Sequence, residues 1–151
     1  MGLVDPTTAS IGPPTVGVVK ANCDATLTKD AAKGGLGVIF RDHTGVLLKV
    51  RSLPQLFGSI IQGEVMAIRS ALVSALELGF NNLLVEFDSR DAIMFIEGRK
   101  SPGWEVEDLV ADVARLKSSF SSIAFSFVPR AVNDVSDALA RKALSLGYVT
   151  D

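Results

Sequence analysis

Apolar and polar positions alternate along the chain from residue 18: Val19, Ala21, Cys23, Ala25 and Leu27 fall on one face, Lys20, Asn22, Asp24 and Thr26 on the other. A period of two over this length predicts a half-buried strand. A glycine-containing break over 29–35 leads into a second strand at 36–41. Asp42-His43-Thr44-Gly45 reads as a hairpin turn, with a third strand returning over 46–52. The chain therefore opens as a three-stranded meander.

The period then changes. Ile60, Glu64, Ala67 or Ile68, Ala71, Ala75 and Leu78 step by three and four, which predicts a helix over 59–78 ended at Gly79. A short strand follows at 82–88, with Leu83, Val85 and Phe87 on one face and Leu84, Glu86 and Asp88 on the other. A helix from Ser89 to Glu97 stops at Gly98, and a loop runs to Gly103. Val106, Leu109, Val110, Val113 and Leu116 mark an amphipathic helix over 105–118, a fifth strand occupies 123–128, and a last helix occupies 131–146. The order βββαβααβα predicts an α/β fold, a five-stranded mixed sheet flanked by helices. Strands joined through helices should run parallel to their neighbours.

Residues 1–15 are rich in Pro, Thr, Ser and Gly without periodicity and read as a flexible arm or linker. That leaves one domain at 16–148 and a short tail at 149–151, a size that suits a single core. The formal net charge of −2 asks for no nucleic acid, so a basic contact surface would have to be local. With one Cys and one His the chain can form no internal disulfide and cannot supply the usual zinc ligands. No stretch approaches the roughly 20 apolar residues of a membrane span, and the N-terminus has no signal pattern. The expectation is a soluble intracellular protein of the nucleus or cytoplasm.

Four acids stand out against this background. Glu64 interrupts the apolar face of its helix. Asp24 and Asp88 belong to strands built mainly from small and apolar residues, and no matching set of Lys or Arg lies beside these acids in sequence. Unpaired buried carboxylates cost about several kcal/mol each. Hard divalent cations relieve that cost: Mg²⁺ is typically held by one or two carboxylates together with water and substrate phosphates.

Asp24 in its strand, Glu64 in the helix after the meander, Val85-Glu86-Phe87-Asp88-Ser89 closing strand four, and Asn133-Asp134-Val135-Ser136-Asp137-Ala138-Leu139-Ala140 together resemble the ribonuclease H domain. The nearest likeness is to its reverse-transcriptase-associated form, common in plant genomes. The lead-in from Pro13 to Asp24 and the stretch Val128-Pro129-Arg130-Ala131-Val132-Asn133 are similar to that form, and the resemblance spans about 16–146. It implies that Asp24, Glu64, Asp88 and Asp137 are the catalytic residues and the ligands of two Mg²⁺ ions, with Mn²⁺ as a substitute. Asp24 would bridge both ions. It also implies hydrolysis of the RNA strand of an RNA–DNA hybrid, and a former fusion to a reverse transcriptase.

Each residue has a plainer reading beside this one. Asp24 sits on a polar face that could simply be wet. Asp88 could cap the following helix, with Asp91 at its third position. Glu86 points the same way as Asp88 and would act behind it. Asp137 could pair with Arg141 one turn on. By resemblance, Asn22 and Asn133 would line the RNA-facing groove, and Arg99 and Lys100, the compact basic pair, would touch phosphates or merely be solvated. Trp104 reads as packing. One departure stands: Phe127 occupies the place where active members carry a His. The alternative function is therefore a catalytically weak or inactive nucleic-acid-binding or protein-interaction module of retroelement origin.

Overall fold

The structure is a computed structural model that describes residues 17–27, 34–134 and 138. Strands β1 (Val19–Leu27), β2 (Gly34–Arg41) and β3 (Leu47–Pro54) form the expected antiparallel meander. The β2–β3 turn is built by Asp42, whose Oδ1 accepts from the amides of Thr44 at 2.8 Å and Val46 at 3.0 Å. Gly45 takes the left-handed φ of +87° that a side chain would resist. Helix α1 (Ile60–Glu77) then crosses to β4 (Asn82–Phe87), and α2 (Arg90–Ile96) and α3 (Trp104–Lys117) lead to β5 (Ser122–Phe127). The strand order is β3-β2-β1-β4-β5, with β4 parallel to both β1 and β5. No helix among the described residues is long and apolar enough to cross a membrane.

One face of the sheet (Ala21, Cys23, Ala25, Val38, Phe40, Val85, Phe87 and Phe125) shares a core with Val65, Ile68, Leu72 and Ala75 of α1. Burying such side chains contributes about 1.5–3 kcal/mol each for the larger ones. Burial along α1 is confined to the stretch between Gly63 and Ala75. Ile60 and Leu78, expected on its apolar stripe, are exposed, while Val65 and Leu72 join the buried side. Ser59 caps the helix by accepting from the Gln62 amide, and Gly79, at φ +79°, follows Leu78 to turn the chain out.

Two expectations need correction. The first strand is not half wet: Lys20, Asn22 and Asp24 on its polar face are all buried, because β1 lies in the middle of the sheet between β2 and β4. Asp88 does not cap α2. Ser89 does, its hydroxyl accepting from the Ala92 amide at 3.2 Å, which leaves the Asp88 carboxylate available at the tip of β4. Past β5 the chain enters a short 3-10 helix, Arg130–Asn133, where the last helix was expected to begin. Asp137, the arm at 1–15 and the tail at 149–151 lie outside the described residues, as does most of that helix.

Candidate metal centre

Parallel pairing sets the C-terminal end of β4 beside the middle of β1. Asn22 pairs with Glu86, so Asp24 and Asp88 lie two residues further along neighbouring strands. Glu64 comes in from the first turns of α1. One carboxylate oxygen from each of the three lies within 4.8 Å of the others. Asp24 is 0% exposed and Glu64 6%. Like charges at this separation oppose each other strongly away from water. Burial first, then the charges of Asp24 and Asp88 and a hydrogen bond to Asp24, push the Glu64 carboxyl up to about 9, only partly offset by Arg130. In the absence of a cation Glu64 therefore holds a proton at neutral pH.

Arg130, just past β5, is the cation the sequence reading missed. Its guanidinium is 3.3 Å from Asp88 Oδ2 and 3.9 Å from Asp24 Oδ2, yet it remains 63% exposed. The signal was topological: β4 and β5 pair in parallel up to Phe87 and Phe127, so residues just beyond the two strands must meet. Phe127 packs against the core, with the Arg90 guanidinium 4.4 Å from its ring centre.

Behind the cluster lies a second buried polar group. Asn22 Nδ2 donates to Glu86 Oε1 at 3.0 Å and sits 3.4 Å from Asn133 Oδ1. Asn133 Nδ2 donates to the Cys23 carbonyl at 2.7 Å, and Lys20 Nζ stands 3.6 Å from Glu86 Oε1. These contacts tie the 3-10 helix to the centre of β1 beside Asp24. Both amides are buried. Arg99 pairs with the half-buried Glu97 at 2.7 Å, and Lys100 with the exposed Asp91 at 3.2 Å. Trp104, read as a packing residue, is 85% exposed. The Cys23 thiol is pushed well up by burial and then by Glu64, Asp24 and Asp88, which keeps it a neutral core residue.

The donor set fits a hard divalent cation. All three groups offer carboxylate oxygen, and among the described residues no thiol or imidazole joins them as a ligand. Glu64 Oε2 is buried without a hydrogen-bond partner, and Asp88 Oδ2 has the Arg130 charge nearby but no hydrogen bond. A buried oxygen left in that state costs about 1–3 kcal/mol unless something coordinates it.

Comparison with known proteins decides the family. The family described as "Reverse transcriptase-like" matches residues 22–143. The chain belongs to the reverse transcriptase-like family. The fold agrees with that assignment. Ribonuclease H1 of the halophilic archaeon Halobacterium salinarum superposes with a TM-score of 0.81 at 22% identity, over 85% of this chain and 98% of that one. The N-terminal RNase H domain of a Mycobacterium tuberculosis protein gives 0.78 at 22% identity, over 85% and 94%. A compost-derived RNase H1, solved in complex with an RNA/DNA hybrid, gives 0.79 at 19% identity, over 85% and 98%. No curated protein sequence matches significantly. The reverse transcriptase-like domain thus combines a ribonuclease H fold with a buried acidic triad able to hold metal.

Proposed function

We propose that this reverse transcriptase-like domain is a metal-dependent endoribonuclease that hydrolyses the RNA strand of RNA–DNA hybrids. The observation that carries the reading is the convergence of Asp24, Glu64 and Asp88, buried, within 4.8 Å of one another and beneath a single exposed arginine. These three would hold Mg²⁺, or Mn²⁺ in its place, with Asp137 as the fourth ligand. Two such ions supply Lewis acidity, a nucleophile at neutral pH and a counter-charge for the leaving oxygen.

The chain's own residues set the conditions for that chemistry. Asp24 and Asp88, fixed on adjacent strands, would give a rigid pair of ligands, and Glu64, its carboxyl pushed up to about 9, would have to give up its proton to join them. Arg130 reaches from the carboxylates into solvent, where a substrate phosphate can take over its charge. Asn22 and Asn133, both buried, keep the 3-10 helix seated beside β1. Lys100 holds an exposed ion pair with Asp91 that is worth little, so a phosphate can displace its partner, and Arg99 is exposed beside it. A hybrid suits such a site because its wide minor groove exposes 2′-hydroxyls that duplex DNA lacks.

The test is cleavage of an end-labelled hybrid. Cleavage of the RNA strand with Mg²⁺ or Mn²⁺, none in excess EDTA and none of duplex DNA is the expected result. Equal cleavage in EDTA would refute the reading. Tight hybrid binding without cleavage under either metal would instead favour a non-catalytic nucleic-acid-binding module.

A further inference from the structure

Phe57 lies in the connection between β3 and α1, yet it is buried. Its ring sits between two glycines from different elements, Gly34 at the start of β2 and Gly63 in α1. A Cβ built on either glycine would come within 2.6 Å of the ring's Cζ. Neither glycine is among those with positive φ, so backbone conformation does not call for glycine at these places. Room for the ring does. Glycine inside a helix is ordinarily unfavourable, so Gly63 has to be explained by what it admits.

The residue after Gly63 is Glu64. Asp24 and Asp88 are held in register by the pairing of β1 with β4. Glu64 is the one member of the triad carried by a helix, so its distance from the other two depends on how closely α1 seats on the sheet. We infer that Phe57 is a positioning residue: its ring, seated on Gly63 and Gly34, fixes the approach of the first turns of α1 and thereby holds Glu64 where a cation can share it with Asp24 and Asp88. The inference rests on the reading of the triad as a metal site. Misplacements of about 1 Å are enough to matter at such sites.

Gly63→Ala is the clean variant, because Gly34→Ala would also meet the Gln55 carbonyl at 2.5 Å. Mn²⁺ affinity measured by calorimetry, well below the melting temperature, should fall about 10–100-fold, the scale set by disturbing groups behind a metal ligand. Phe57→Leu combined with Gly63→Ala makes room for the new methyl and should recover most of that loss. A merely structural wedge would lower the melting temperature and leave Mn²⁺ affinity of the folded protein unchanged, which would overturn the inference. Should Gly63→Ala fail to fold, Phe57→Leu alone decides. A severalfold loss of Mn²⁺ affinity supports the wedge, and wild-type affinity refutes it. Absence of Mn²⁺ binding by the wild type would overturn the metal reading itself, and this inference with it.

Discussion

Two buried groups share the polar face of β1, two residues apart, and they treat charge differently. Around Asn22, the Glu86 carboxylate is met by an amide at 3.0 Å and an ammonium at 3.6 Å, while Asn133 bonds the strand's own carbonyl. Around Asp24, three acids crowd within 4.8 Å, and the Glu64 carboxyl is pushed up to about 9. The first group supplies opposite charge where charge is buried. The second gathers three carboxyl groups beside the exposed Arg130. A fold that meets buried charge from within at one position, and at the next with a largely exposed arginine, holds the second set for something that arrives later.

The largest expected effect separates the two groups by stability. Glu86→Ala strands the buried Lys20 ammonium and should destabilise the fold by about 3–5 kcal/mol, read from denaturant melts. Asp24→Asn should leave the metal-free melting temperature unchanged or raise it, while cutting hybrid cleavage by more than about 100-fold, beyond what loss of a group behind a ligand costs. If Asp24→Asn melts far below wild type, the cluster is structural and the contrast fails.

Next in size is a pH effect confined to the acidic cluster. The folded Glu64 carboxyl titrates near 9 against an ordinary value of 4.5. Between those values the folded state binds more protons than the unfolded one, so metal-free stability should fall as pH rises from about 5 to 9. Thermal melts in EDTA across that range should show the decline, and Glu64→Gln should flatten it. A metal-free protein that gains stability over the same range would contradict the cluster's electrostatics.

The smallest effect concerns Arg130. It is largely exposed, so its ion pairs with Asp24 and Asp88 are screened and contribute little to stability. Arg130→Ala should change the melting temperature little and raise the KM for hybrid about five- to tenfold, about 1 kcal/mol. An unchanged KM would confine Arg130 to the metal-free state.

Much of this was legible in the chain itself. Strands and helices follow from local periods, so the meander, α1 and the parallel β4–β5 pair emerge where the alternation of Val19–Leu27 and the spacing of Glu64, Ile68, Ala71 and Ala75 place them. Glu64 was visible because a carboxylate on an apolar stripe is a local contradiction. Burial of Lys20, Asn22 and Asp24 was not visible, since it depends on which strands flank β1. Arg130 is 106 positions from Asp24 in sequence and meets it only because β5 lies beside β4. Ser89 outcompeted Asp88 as a cap, a choice between adjacent cap-forming residues that spacing alone leaves open. Phe57 gave no signal, because the glycines that admit it lie on either side of it in different elements.

The most direct measurement is a calorimetric titration of Mg²⁺ or Mn²⁺ into wild type, Glu64→Gln and Asp24→Asn at pH 7, run in two buffers of different ionisation enthalpy. The account predicts binding by wild type with release of about one proton, the one held by Glu64. It predicts no such release from Glu64→Gln and little or no binding by Asp24→Asn. Binding by Asp24→Asn as tight as wild type, or no binding by wild type at all, would contradict the claim that these carboxylates form a metal site.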